Sequence, residues 1–216
     1  MNLYLTHLIL NPRSNLVRRD LADTQQMHRT IMSMFPQTSE REDPRAQFGV
    51  LYRVGDQNSA GNVELLLQSL IAPQTESLPD GYLSRPVETR EVGTIYEEIQ
   101  VGNAFRFRLD ANPTKSLAAG EHERGRRIPI TIEAEQLNWF SSHAAGWGFE
   151  IVEARVSRAQ SIVGRLKDAA SRKLMLTQFE GIIRVTDVDA FETSIALGLG
   201  RGRAFGLGLL TIARAT

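Results

Sequence analysis

The order of apolar runs along this chain occurs twice, and that repetition limits the fold more than any single motif does. In the first half, residues 3–10 are rich in β-formers and stop at Asn11-Pro12, so they read as a buried strand. A helix is predicted over residues 24–35, where Met27, Ile31, Met34 and Phe35 fall at i, i+4, i+7 and i+8 and so share one face. Asp23 or Thr24 can cap it. Residues 47–54 and 63–70 then read as two strands joined by the turn GDQNSAGN. In the second half, residues 104–111 alternate Phe105, Phe107 and Leu109 with Arg106, Arg108 and Asp110, and Asn112-Pro113 stops them 101 residues after the first such stop. A helix over 132–145, with Leu137, Phe140 and Ala144 inward, precedes strands over 149–157 and 173–185. Asp187 caps a last helix to Leu197, and 209–213 form the final strand. Strand, helix, strand, strand is the split βαβ arrangement. The expected fold is therefore α+β, two tandem ferredoxin-like (RRM-like) βαββαβ domains. Residues 1–93 would form the first and 94–216 the second, with 73–93 an irregular approach to the boundary.

Composition supports a folded chain of that size. Of 216 residues, 42% are hydrophobic and 23% charged, enough apolar content for a core. The absence of cysteine excludes disulfide frameworks, thiolate metal sites and cysteine nucleophiles, and it fits a reducing compartment. The opening MNLYLTHLILNP has no basic region and no small-residue cleavage site. No apolar run approaches the roughly 18–20 residues of a membrane span. The expectation is a soluble, cytoplasmic protein without a membrane partner.

The net charge of zero conceals an asymmetry. Residues 1–103 hold 9 Lys and Arg against 13 Asp and Glu, and residues 104–216 hold 16 against 12. Within 155–173, Arg155, Arg158, Arg165, Lys167, Arg172 and Lys173 face only Asp168. Such a run can hold a polyanion, although on charge alone a solvated hairpin is the commoner meaning.

The chemistry-bearing residues are few. His7, His28, His122 and His143 lie far apart without partners at ligand spacing, so no metal site is expected. Phosphate-binding P-loop and G-x-S-x-G patterns are absent. The most distinctive stretch is the glycine run holding Gly198, Gly200, Gly202, Gly206 and Gly208. It follows a helix and precedes a strand, the reverse of the order dinucleotide binding requires. With Arg201 and Arg203 between the glycines, backbone N–H groups and guanidinium forks can both meet a phosphate chain; the alternative is a tight turn with two exposed arginines. His28, at the edge of the apolar face and near Arg18, Arg19 and Arg29, is the catalytic candidate by elimination. Its unperturbed pKa of about 6.5 suits general acid–base work, yet most boundary histidines are inert.

The segments RRDLADTQQMHR at 18–29, FRFRLDANPTKSLA at 105–118 and GLGRGRAFGLGLLTI at 198–212 resemble the CasE family, the CRISPR RNA-processing endoribonucleases of type I-E Cascade complexes. The resemblance implies two tandem ferredoxin-like domains and a CRISPR repeat stem-loop RNA as substrate, cut once at the 3′ side of the stem. It also implies other Cascade subunits as partners and no cofactor. The implied reaction is metal-independent attack of a ribose 2′-OH on the adjacent phosphate, leaving a 2′,3′-cyclic phosphate and a 5′-OH. His28 matches the family's catalytic histidine. Some members carry a tyrosine three residues earlier, where this chain has Gln25, which cannot move a proton. Arg29, Lys115, Arg201, Arg203 and the basic segment would hold the RNA. Two other readings are a non-catalytic repeat-binding module and a purely structural subunit; incubation with labelled repeat RNA in chelator separates all three.

Overall fold

A computed structural model describes residues 3–37, 44–58, 61–92, 97–117, 127–165 and 171–215. Two four-stranded antiparallel sheets organise it. The first contains β1 (Tyr4–Leu10), β2 (Leu51–Gln57), β3 (Val63–Ser69) and β4 (Glu88–Glu91), in the order β2-β3-β1-β4. The second contains β5 (Ala104–Ala111), β8 (Phe149–Arg165), β9 (Ser171–Val185) and β10 (Leu210–Arg214), in the order β10-β5-β9-β8. Counted within each half, both orders are 4-1-3-2, and every neighbouring pair is antiparallel. These are tandem ferredoxin-like units. A two-stranded ribbon, β6 (Thr114–Ser116) with β7 (Arg127–Pro129), stands apart.

Helices cover one face of each sheet. In the first unit α1 (Asn15–Ala22) and α2 (Thr24–Met32) lie between β1 and β2. Met27, Ile31, Met34 and Phe35 are all buried, so the apolar spacing correctly marks the inner face. Asp23 separates the helices: its backbone is extended, and its carboxylate accepts the Gln25 N–H at 3.0 Å, satisfying one free donor of the α2 first turn. In the second unit α4 (Glu133–Ala144) and α5 (Val188–Leu197) pack over a core of phenylalanines. Phe140 stacks on Phe179 at 4.8 Å and on Phe107 at 5.3 Å. Such offset pairs add about 0.5–1.5 kcal/mol beyond the area they bury.

The elements depart from the sequence expectation in several places, beginning with the helix α1 and the ribbon β6–β7, which it did not contain. Residues 47–50 are not strand: a short helix α3 (Pro44–Gln47) turns the chain into β2. Residues 73–93 are not wholly irregular, because β4 pairs with β1 there. The crossover before β4 carries a 3-10 turn, Thr75–Ser77, where the second unit has α5. Finally, β8 runs to Arg165 and β9 starts at Ser171, so the basic segment is mostly strand. Since β5 pairs with β9 only over Thr177–Arg184, the far ends of β8 and β9 extend beyond β5 as a two-stranded ribbon.

Candidate functional site

The glycine-rich loop joins the two units. All five of its glycines, Gly198, Gly200, Gly202, Gly206 and Gly208, have positive φ. Gly206 shows why a side chain fails there: at φ +80°, a Cβ would stand 2.9 Å from the Tyr52 ring. Tyr52 belongs to β2 of the first unit and is fully buried, and its hydroxyl donates to the Ala204 carbonyl at 3.0 Å. Burial first, and the nearby Asp20 charge second, push its phenol far above the usual range, so it stays a neutral donor. Leu51 presses on Gly198 in the same way. The loop's 3-10 turn, Arg203–Phe205, therefore sits against the first unit and packs on α2.

His28 lies half-buried on α2, the helix that meets this turn and also touches β8. Besides the buried Met27 and Ile31, α2 is held by Asp20, whose side chain is 0% exposed. Its Oδ2 accepts from the Thr30 hydroxyl at 2.6 Å and the Tyr82 hydroxyl at 2.8 Å, while Oδ1 accepts from Arg19 Nε at 2.8 Å. One carboxylate thus binds α1, α2 and the crossover that leads to β4. Burial and the bond to Asp20 raise the Tyr82 phenol as well.

The predicted RNA-binding residues have different surroundings. Arg29 and Arg201 are exposed, the first beside His28 on α2 and the second in the glycine loop. Arg203 Nη1 donates to the Leu197 carbonyl at 2.7 Å, satisfying a free acceptor at the end of α5; it fixes the loop. Lys115 pairs with Glu135 at 2.6 Å, and Arg155 with Glu180 at 3.3 Å. Arg158 pairs with Asp56 of β2, bridging the units. Arg165, Arg172 and Lys173 lie on the far ends of β8 and β9; Lys167 and His122 lie outside the described residues. Arg29 and Arg201 thus belong to the helix and the loop that meet, while Lys115 and Arg155 are engaged in ion pairs. Among the described residues no group of three or more His, Asp or Glu is placed to hold a metal, and no helix is long and apolar enough to cross a membrane.

Sequence reasoning missed a polar cluster between the units. Asp110 of β5 is buried at 1% exposure; Oδ1 accepts from Gln178 Nε2 at 2.8 Å, and Oδ2 has no hydrogen-bond partner among the described residues. Arg53 of β2 reaches across, donating to Thr211 Oγ1 at 3.1 Å. Burial raises the Asp110 carboxyl above its ordinary range, against the lowering pull of Gln178, Arg53, Arg158 and Arg108. A raised folded pKa stabilises the fold below the unfolded value of about 3.9, and that stabilisation is lost as pH rises through the folded value. Asp110→Asn keeps the oxygen that Gln178 needs and carries no charge. It is expected to melt above the parent at pH 7, the gain shrinking as pH falls into the carboxylate range. A lower melting point at pH 7 would mean that Arg53 and Arg158 need the charge.

Comparison with known proteins agrees with this architecture along the whole chain. The family model described as CRISPR associated protein matches residues 3–214. The CRISPR-associated endoribonuclease Cse3 of Thermus thermophilus is 32% identical over 222 residues, covering 98% of this chain and 100% of that relative. The Cascade subunit CasE of Escherichia coli is 28% identical, covering 88% and 92%. A solved structure of Thermus thermophilus Cse3 bound to an RNA representing a pre-cleavage complex superposes with a TM-score of 0.82 at 28% identity, over 99% of this chain and 100% of that one. With the family model matching residues 3–214 and the relatives matched over nearly their full length, the chain belongs to the CRISPR-associated protein family, with Cse3 and CasE among its relatives.

Proposed function

We propose that the chain is an endoribonuclease that cuts a CRISPR repeat RNA once at the base of its stem-loop and stays bound as a subunit of Cascade. The observation that carries this reading is the packing of α2, with His28, against the glycine-loop turn of a chain that matches Cse3 from end to end. His28 and the exposed Arg29 are on α2, and the exposed Arg201 is in the loop whose turn packs on that helix; an imidazole, guanidinium groups and loop N–H groups are what a phosphodiester needs. The β8–β9 ribbon carries Arg165, Arg172 and Lys173 in its strands, cations suited to RNA phosphates. A-form RNA is held largely through its phosphates and shape.

His28 takes the proton from the ribose 2′-OH or gives one to the departing 5′-oxygen. The 2′-oxygen attacks phosphorus, the P–O5′ bond breaks, and the products are a 2′,3′-cyclic phosphate and a 5′-OH. The nucleophile comes from the RNA itself, so the reaction needs neither a metal-bound hydroxide nor a cofactor. Arg29 and Arg201 stabilise the charge that builds on the phosphate oxygens. Residues 1–93 form the domain that carries His28 and residues 94–216 the domain that carries the ribbon and the loop. The site of action is the cytoplasm, where precursor transcripts are made.

The test is incubation of labelled repeat RNA with the protein in EDTA. One cut at the stem base is expected, at the rate seen without chelator. Loss of cutting in EDTA, restored by Mg²⁺ or Mn²⁺, would overturn the mechanism. Binding without any cut would favour the non-catalytic module, which the glutamine at position 25 makes the natural rival.

A further inference from the structure

A cavity of about 260 Å³ opens between the two units, next to the α2–loop junction. Its apolar wall is formed by Met27 of α2, Val54 of β2, Ile162 of β8, Leu176 of β9 and Phe205 of the loop turn. The volume lies just below the roughly 300–1,000 Å³ of drug-sized sites and suits one heteroaromatic base. Thr24 also lines it, and Thr24 is one helical turn before His28, on the same face of α2. The cavity is therefore within one nucleotide's reach of the candidate catalytic imidazole.

The polar side of the cavity is equally specific. Gln160 lines it with an amide that can donate and accept. Arg158 lines it too; Nη1 is engaged by Asp56, and Nε is buried without a hydrogen-bond partner among the described residues. The Arg158 side chain is 24% exposed, and its accessible guanidinium N–H groups suit a ligand that brings an acceptor edge. An aromatic ring, a thioether and aliphatic side chains against a flat ligand, with amide and guanidinium groups at its edge, are the features with which proteins hold an unstacked base.

We propose that this cavity receives one unstacked nucleobase of the substrate RNA, the base flanking the scissile phosphate. Phe205 contacts its face, and Arg158 and Gln160 read its edge. The inference rests on the endoribonuclease reading and goes beyond it by assigning a subsite. Extracting this base bends the backbone at the cut and leaves the 2′-OH free to line up with phosphorus, so the pocket acts on the cleavage step as well as on binding.

The test pairs protein variants with altered RNAs. Ile162→Trp fills the cavity from a half-buried position on the ribbon, and Phe205→Leu removes the ring while keeping bulk. The RNAs carry an abasic site at one or the other nucleotide flanking the cut. With the unaltered protein, one abasic RNA should be cut about 5- to 100-fold more slowly in single turnover, the range expected for a lost stacking contact. Ile162→Trp and Phe205→Leu should slow the intact RNA comparably, and on that abasic RNA they should add no further loss. Abasic RNAs cut at full rate by the unaltered protein would overturn the inference and leave the endoribonuclease reading standing. So would losses that multiply at both positions. An unaltered protein that cuts no repeat RNA would remove both.

Discussion

Replacing His28 with alanine should lower single-turnover cleavage of the repeat RNA by about 10²–10⁴-fold, the range typical of a general acid or base. Affinity for the same RNA should stay within about threefold, because Arg29, Arg201 and the ribbon, to which the proposal assigns the phosphates, are untouched. The fold should survive. His28 is half-buried at the edge of α2 rather than within the stripe of Met27 and Ile31, and alanine has the highest helix propensity. Affinity and rate falling together would place the histidine in RNA binding. A near-normal rate would return it to the role of an ordinary boundary residue.

The second large effect is expected at Asp20. Asp20→Ala takes the acceptor from the Tyr82 and Thr30 hydroxyls, and each buried donor left unsatisfied costs about 1–3 kcal/mol. A loss of about 2–5 kcal/mol follows, which in a chain of this length lowers the melting midpoint by roughly 5–20 °C. Arg19 contributes little to that loss, since its side chain is 48% exposed and returns to water. Arg19→Ala should accordingly cost no more than about 1 kcal/mol. Because the carboxylate ties α1 to α2, Asp20→Ala should also lose cleavage on warming before the second unit melts. A variant melting with the parent would show that α2 is held by apolar packing alone.

Much of the frame was legible because it rests on periodicity. The alternation along β5 holds from Phe105 to Leu109 and breaks at the buried Asp110, while the i, i+4 spacing on α2 and the capping aspartate before α5 appear in the structure as read. The misses have physical causes. In α1 the buried positions are Val17 and Asp20, so the inner face is partly an acid held by hydrogen bonds and shows no apolar stripe. β4 is four exposed residues, ETRE; edge strands are often charged, and this one is set by pairing with β1 and by the Thr6–Thr89 hydroxyl contact at 3.0 Å. The site divides the same way. His28 and the glycine loop were visible as residue types in context. Tyr52 and Arg53 bond across the two units, over separations of 55–158 residues, and Asp110 feels the Arg53 charge from the other unit; no local pattern announces such partners. The basic segment was recognised as a hairpin, but the pairing of Arg158 with Asp56 and of Arg155 with Glu180 depends on tertiary neighbours.

The most direct test of the account is the chemistry of the ends made in the EDTA reaction. Attack by the 2′-OH must leave a 2′,3′-cyclic phosphate on the 5′ fragment and a free 5′-OH on the 3′ fragment, resolved by mass spectrometry of the two products. Those ends, together with an uncut RNA when a single 2′-deoxy nucleotide precedes the scissile phosphate, are the expected result. A 5′-phosphate with a 3′-OH, or normal cutting of the 2′-deoxy RNA, would mean that water is the nucleophile and would contradict the mechanism built on His28.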